Sequence, residues 1–257
     1  MPELPEVETL CRQLQTMIAG KEILGYTVYD EKLGALGDLG HCKVKAVRRD
    51  GKSIVLSLDN ERCIRIHLRM TGRLLWRCCE EREPHTRWRL WLENGNIALV
   101  DPRRFATVRL EDEREASPER DLLMCFDEKE FLRRQARRRI SVKILLLDQR
   151  AIAGIGNIYA CEILHTAGIS PLRPAETVCA EEWKRIFRCG RRILRSGIRR
   201  RGTSISDWRD LYGSPGEYQH ELKVYGREGR ACGTCGACVV RIRQGGRSTF
   251  YCAECQK

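Results

Sequence analysis

No apolar run in the chain approaches the roughly 18 residues that cross a membrane as a helix. No basic start followed by an apolar stretch opens it, and no Arg/Ser-rich amphipathic leader. Internal repeats and low-complexity tracts are missing too, which argues against a solenoid or a disordered tail. Acidic charge is in short supply. Asp and Glu total 35 against 47 Lys and Arg, giving a net +12 and a pI near 9.2. Arginine dominates the excess, and its planar fork suits phosphate, so the expected partner is nucleic acid. An anionic membrane surface fits less well, because no basic amphipathic helix stands apart from the globular pattern.

Cysteine is abundant, but a disulfide framework is not expected. Of the fourteen, Cys11, Cys42, Cys63, Cys125, Cys161, Cys179 and Cys189 stand singly, mostly in apolar segments, and read as small buried hydrophobes. A reducing cytosol is the expected home. The 257 residues suffice for two modest domains or one large one.

Residues 6–19 carry Val7, Leu10, Leu14, Met17 and Ile18 at the spacing of one helical face. To about residue 110 the period is then two, in "KVKAV", "SIVLSL" and "CIRIHL". "RWRLWLENGNIALV" is an alternating run broken by Asn94-Gly95, a hairpin signal. The expectation is a helix attached to an antiparallel β-sandwich. Residues 111–121 show no apolar period and read as a linker. Helical periods follow in "EKEFLRRQARRRISVKILLLDQ", "NIYACEILHTAGI" and "AEEWKRIFRCGRRILRSGI", and the last forty residues return to short strands and turns.

In that last stretch Cys232, Cys235, Cys252 and Cys255 form C-x2-C-x16-C-x2-C. Two such knuckles present four thiolates, the donor set of a closed, structural Zn²⁺ site. A redox or disulfide cluster is the competing reading. Between the knuckles "VVRIRQGGRSTFY" alternates around Gly245-Gly246, predicting a hairpin with arginines near its tip, and Cys238 falls outside the pairing. Those arginines suit either a solvated face or phosphate contact.

The first residues, MPELPEVETL, hold two prolines and three glutamates. A helix start explains Pro5, Glu6 and Glu8, since proline fits a first turn and acids suit the positive end of the dipole. It does not explain Pro2 and Glu3. Met before a small residue is normally trimmed, which would leave Pro2 as a free secondary amine.

Seven stretches spanning the chain carry a resemblance: "MPELPEVE", Gly51-Lys52, "HLRMTG" (67–72), "DPRRF" (101–105), "AGIGNIYA" (153–160), "VYGREG" (224–229) and "GGRSTFYCAECQ". With these, in this order, the chain resembles the bacterial formamidopyrimidine-DNA glycosylase (Fpg/Nei) family of base-excision enzymes. The resemblance implies an α+β multidomain fold. An N-terminal helix with a β-sandwich would span 1–112, a linker 113–122, a helix–two-turn–helix domain 123–220 and a β-hairpin zinc finger 221–257.

The activity implied is a glycosylase with abasic-site lyase activity on duplex DNA, excising 8-oxoguanine and formamidopyrimidines. Its setting would be a monomer in the bacterial cytoplasm, associated with the nucleoid. The residues suit such chemistry. A free α-amine has a pKa of about 8, so part of it is unprotonated near neutrality. Attack by the secondary amine of Pro2 on C1′ gives an iminium, an electron sink that promotes β,δ-elimination. Glu3 can pass a proton to the sugar ring oxygen, and Glu6, one helical turn on, can face the same site.

By the resemblance Lys52 contacts phosphate or the damaged base, though alone it reads as an ordinary hairpin lysine. Met70, Arg103 and Phe105 match the residues that fill the void left by a flipped nucleotide, Arg103 reading the partner base. Asn157, after the glycines of "AGIGNIYA", can cap a helix and contact phosphate, or simply sit at a helix–turn–helix joint. Arg247 matches a phosphate-contacting arginine, and residues 201–219 match the loop that covers the everted base.

Two positions depart from the pattern. Asp50 stands where the family tends to be basic, and Cys161 where it is acidic. Two other functions remain open: a Nei-type glycosylase for oxidised pyrimidines, and a non-enzymatic zinc-ribbon protein that bends DNA. "PELPE" and Arg103-x-Phe105 favour the purine enzyme, and the DNA-bending protein leaves Pro2 and Glu3 without a role.

Overall fold

The structure is a computed structural model that describes residues 1–113, 121–135 and 137–257. It divides into two compact units: Met1–Pro118 with Gly197–Gln219, and Glu119–Ser196 with His220–Lys257.

In the first unit, helix α1 (Leu4–Ile18) buries Leu4 together with Val7, Leu10, Leu14 and Ile18 of the apolar face read from the sequence, and leaves Met17 half-buried. Eight strands follow: β1 (Ile23–Val28), β2 (Val44–Asp50), β3 (Ser53–Leu58), β4 (Arg62–His67), β5 (Arg73–Arg77), β6 (Thr86–Leu92), β7 (Gly95–Val100) and β8 (Thr107–Asp112). They form two antiparallel sheets ordered β1-β6-β7-β5 and β2-β3-β4-β8. The helix packs on β2 and β3. Its apolar face joins Ile54, Leu56, Ile64, Ile66, Trp88, Leu90 and Leu99 in one core, as expected for a sandwich with an attached helix.

The hairpin at Asn94-Gly95 is present but shifted by one residue. Glu93 and Asn94 make the turn, and Gly95 already pairs with Leu92. A Cβ on Gly95 would lie 2.5 Å from the Trp76 ring, so only glycine fits the start of β7. The stretch read as a linker at 111–121 also begins differently. Glu111 and Asp112 complete β8 against Cys63 and Arg62. Residues 114–120 of that linker lie outside the described residues.

Residues 197–219 close the first unit. Trp208 and Leu211 enter its core, and Asp210 accepts the backbone N–H groups of Tyr212 and Ser214. Gly216 packs so closely on the Gly202 carbonyl that no Cβ could be accommodated there.

The second unit holds α2 (Glu128–Arg134), α3 (Val142–Leu147), α4 (Asn157–Ala167) and α5 (Ala180–Arg199) as far as Ser196. The continuous helical period of 128–149 resolves into two helices, α2 ending with Gln135 as its C-cap. Phe126, Phe131, Trp183 and Phe187 form an aromatic cluster, with edge-to-face, tilted and stacked pairs, that ties α2 to α5. The chain ends in a hairpin of β9 (Val240–Gln244) and β10 (Arg247–Tyr251) flanked by the cysteine pairs.

None of the fourteen cysteines forms a disulfide. Cys11, Cys42, Cys63, Cys161 and Cys189 are buried as expected, but Cys125 and Cys179 are exposed because both lie in irregular chain just before a helix rather than on its buried face. Among the described residues no helix is long and apolar enough to cross a membrane.

Candidate active site and nucleic-acid contacts

Glu3 is the N-cap of α1, and Pro5 lies in its first turn. Met1 is exposed, whereas Pro2, Glu3 and Glu6 are buried, the two glutamates at 2%. One Glu6 carboxylate oxygen accepts the Glu3 N–H at 2.8 Å, and the other accepts the Thr203 N–H at 2.7 Å. Gly202 packs directly on that carboxylate, at φ +82°, where a Cβ would lie 2.7 Å from Glu6. Glu6 therefore joins the chain start to the segment beginning at 201. A charge-assisted hydrogen bond to a buried carboxylate is worth roughly 1.5–3 kcal/mol, so this segment is firmly held there.

Strand register gathers further candidates at one end of the β2-β3-β4-β8 sheet. Asp50 pairs with Ser53 across the Gly51-Lys52 turn, Ser53 pairs with His67, and His67 with Thr107. The turn bearing Lys52, the turn bearing Met70 and the loop bearing Arg103 and Phe105 therefore emerge side by side. Lys52 is buried at 6%, unlike an ordinary hairpin lysine. Its turn is tied to α1 by Arg49, whose Nε donates to Glu8 at 3.0 Å and whose Nη1 donates to the Gly51 carbonyl at 3.1 Å.

Asp50 is occupied structurally, accepting from Arg65 at 2.7 Å, while the same guanidinium binds Glu111 at 2.7 Å. The acidic departure from the family pattern is thus neutralised within the sheet.

Met70 and Phe105 are exposed, at 46% and 43%, rather than taken into the core. The Arg103 guanidinium lies 4.8 Å from the centre of the Phe105 ring. Between them, Arg104 points elsewhere and grips Asp30 side-on, Nε and Nη2 donating to its two carboxylate oxygens at 2.8 and 2.6 Å. That contact holds the Asp30 carboxyl below its ordinary range.

His67 belongs to "HLRMTG" but was given no role from the sequence. Burial, and then the charges of Arg69 and Lys52, lower its pKa to about 4. Its Nδ1 accepts the Arg69 N–H at 3.0 Å, so the proton of the neutral ring sits on Nε2. Nothing local in the sequence marks Arg49, an arginine within β2, as a brace.

In the second unit, Asn157 is the first residue of α4 and Gly156 is the cap. The expected side-chain cap is not formed. The Asn157 amide turns instead to the hairpin, donating to the Ser248 carbonyl at 2.8 Å. From α3 the buried Lys143 joins it, binding Thr249 Oγ1 at 2.7 Å. Arg247 opens β10 after a two-residue turn, Gly245-Gly246, with both φ values positive. It is exposed and makes no ion pair among the described residues.

The sulfur atoms of Cys232, Cys235, Cys252 and Cys255 all lie within 4.8 Å of one another. A tetrahedral ion with Zn–S bonds of about 2.3 Å needs sulfur–sulfur edges of about 3.8 Å. Cys232 and Cys255 are 3.8 Å apart, and Cys235 and Cys252 are 3.4 Å apart. The thiols cannot all ionise unaided. Burial opposes ionisation of Cys232, but the N–H groups of Thr234 and Cys235 lower it to about 5, while neighbouring Cys235 and burial push Cys255 to about 12. A divalent cation resolves that conflict, so the four residues can hold a metal ion. Cys161 packs against this module with Val224 and Phe250, a packing role for the second departure. Glu162, beside it, accepts the N–H groups of Lys223, Val224 and Tyr225.

The family models for the formamidopyrimidine-DNA glycosylase N-terminal domain and H2TH domain match residues 1–108 and 118–208. Formamidopyrimidine-DNA glycosylases of Desulfitobacterium hafniense and Pelotomaculum thermopropionicum are each 39% identical over all of this chain and 100% and 99% of theirs. The Lactococcus lactis FPG mutant G226P, in complex with Fapy-dG-containing DNA, matches with a TM-score of 0.91 at 30% identity, covering 100% of both chains. The MutM (FPG) protein of Thermus thermophilus matches at 0.90 and 35% identity, covering 99% of this chain and 98% of that one. A helix-led β-sandwich, a helical unit and a four-cysteine hairpin with these relatives define a DNA glycosylase of DNA repair. The chain belongs to the formamidopyrimidine-DNA glycosylase family.

Proposed function

We propose that the chain excises oxidised purines, 8-oxoguanine and formamidopyrimidines, from duplex DNA and then cleaves the strand through its N-terminal proline. The buried start of α1 is the observation that carries this reading. Pro2 and Glu3 sit beneath an exposed Met1, next to a carboxylate fixed from both sides. A frayed terminus with no role would leave such polar groups in water.

With Met1 removed, the Pro2 nitrogen attacks C1′ and the bond from C1′ to the base breaks, the base leaving with a proton. The nitrogen lone pair then forms the C1′ iminium as Glu3 protonates O4′ and the ring opens. Loss of the C2′ proton into that electron sink expels the 3′ phosphate, and a second elimination expels the 5′ phosphate. Glu6 holds the Glu3 backbone in place, and Lys52 supplies positive charge for phosphate or base. Met70, Arg103 and Phe105 fill the vacated stack, which offsets the few kcal/mol of unstacking.

Asn157 and Arg247, in the helix–two-turn–helix segment and the zinc finger, hold the backbone. A Zn²⁺ on Cys232, Cys235, Cys252 and Cys255 would be structural, cross-linking the knuckles that carry the hairpin. The protein would act as a monomer in the bacterial cytoplasm. A purine lesion in the DNA bound by the similar Lactococcus protein supports the substrate class.

Borohydride reduction during turnover tests the reading. Duplexes containing 8-oxoguanine or an abasic site should yield a covalent protein–DNA adduct that Pro2→Gly, or retention of Met1, abolishes. No adduct from processed protein would refute it. Faster cleavage at thymine glycol than at 8-oxoguanine would refute the purine assignment alone.

A further inference from the structure

The three side chains proposed to enter the stack come from two separate segments, yet one buried residue holds both. Asp101 is 0% exposed. Its Oδ1 accepts the Thr71 hydroxyl at 2.5 Å and the Arg103 N–H at 3.2 Å. Its Oδ2 accepts the N–H groups of Phe105 and Ala106 at 2.7 and 2.8 Å. Its own backbone is fixed as well, the N–H donating to the His85 carbonyl at 3.0 Å and the carbonyl accepting from Arg87 Nε at 2.8 Å.

Both segments need such a clasp. Arg69, just before Met70, lies at φ +55°, and Arg104, between Arg103 and Phe105, lies at φ +59°. Residues other than glycine rarely adopt that region, and it persists only where the surroundings over-determine it. Gly72 closes the Met70 turn through a hydrogen bond to the Leu68 carbonyl, in a space where a Cβ would lie 2.5 Å from that oxygen. Thr71, between Met70 and Gly72, then makes the hydroxyl contact that links this turn to the second loop.

We infer that Asp101 is the positioning residue that locks the Met70 turn and the Arg103–Phe105 loop into one rigid wedge, so that all three side chains enter the DNA stack together. It touches neither lesion nor sugar. It acts by fixing the geometry of residues that do, and the inference rests on the void-filling role proposed for them. A carboxylate suits the position because every group facing it is a donor. An asparagine would turn an NH₂ group toward one set of them.

The test uses the full-length protein with Asp101→Asn and Thr71→Val, the latter removing only the hydroxyl between the loops. 2-Aminopurine opposite an abasic site reports insertion by its fluorescence on binding. Borohydride trapping compares that duplex with the same abasic strand unpaired, which has no stack to refill. Asp101→Asn should lose most of the insertion signal and at least tenfold in trapping efficiency on duplex relative to single strand, and Thr71→Val should lose about threefold. Equal losses on duplex and single strand, or an unchanged fluorescence signal, would overturn the inference. If Asp101→Asn fails to fold, as judged by circular dichroism, Thr71→Val decides alone. A parent protein that traps neither substrate would instead strike the activity reading, and the fluorescence comparison would still decide the role of Asp101.

Discussion

Glu6, Arg49 and Asp101 each join segments far apart in sequence through a partner that no local pattern marks. Glu6 was visible as the acid one turn after Glu3, but its second partner, the Thr203 N–H, lies 197 residues away. Replacing Glu6 with alanine removes the carboxylate that accepts two buried N–H groups, so thermal or denaturant unfolding should show a loss of about 2 kcal/mol. His67 offers a second measurement. Its folded pKa, near 4, is below the usual value, so the unfolded chain binds more protons between about pH 4 and 6.5. Its contribution to stability is therefore intact above that window and declines as pH falls through it. An NMR titration should find this ring neutral at pH 6; a midpoint near 6.5 would contradict the burial beside Arg69 and Lys52. Pro2 and Glu3 stand out in the sequence because the chemistry proposed for them is local, whereas Arg49 and Asp101 do not, because Glu8 and Thr71 reach them only through tertiary packing.

Among the elements, α1 was readable because its apolar positions keep one face over four turns. The β6–β7 hairpin was readable to within one residue, and the error traces to Trp76, whose ring claims the space beside Gly95. The break between α2 and α3 was hidden, since the stretch between them, QARRRIS, holds no proline or glycine and keeps helix-forming arginines beside Ile140. The four-cysteine module was the most legible element, because ligand spacing is itself the signal. Chelation or Cys252→Ser should unfold the hairpin and weaken DNA binding, while the β-sandwich retains its circular dichroism signature of strands. Unchanged affinity after chelation would remove Arg247 from the DNA contacts.

For the whole molecule, the net charge of +12 is a statement about association rather than fold. Duplex affinity should fall steeply with salt, since each neutralised phosphate contributes a log–log slope of about −0.9. Arg247→Ala should reduce that slope by about one and weaken all sequences alike. The order of strands, helices and four-cysteine hairpin followed from changes of period along the chain. The packing of residues 197–219 with the first unit did not, because Trp208 and Leu211 sit in a segment with no regular period.

The central claim is that the reacting atom is the nitrogen of Pro2. Mass spectrometry of the borohydride-reduced conjugate, digested to peptides, addresses it directly. The account predicts a modified N-terminal peptide beginning at Pro2, with the sugar on the proline nitrogen and Met1 gone. A sugar adduct on Lys52 or another lysine, or an active protein that still carries Met1, would contradict it.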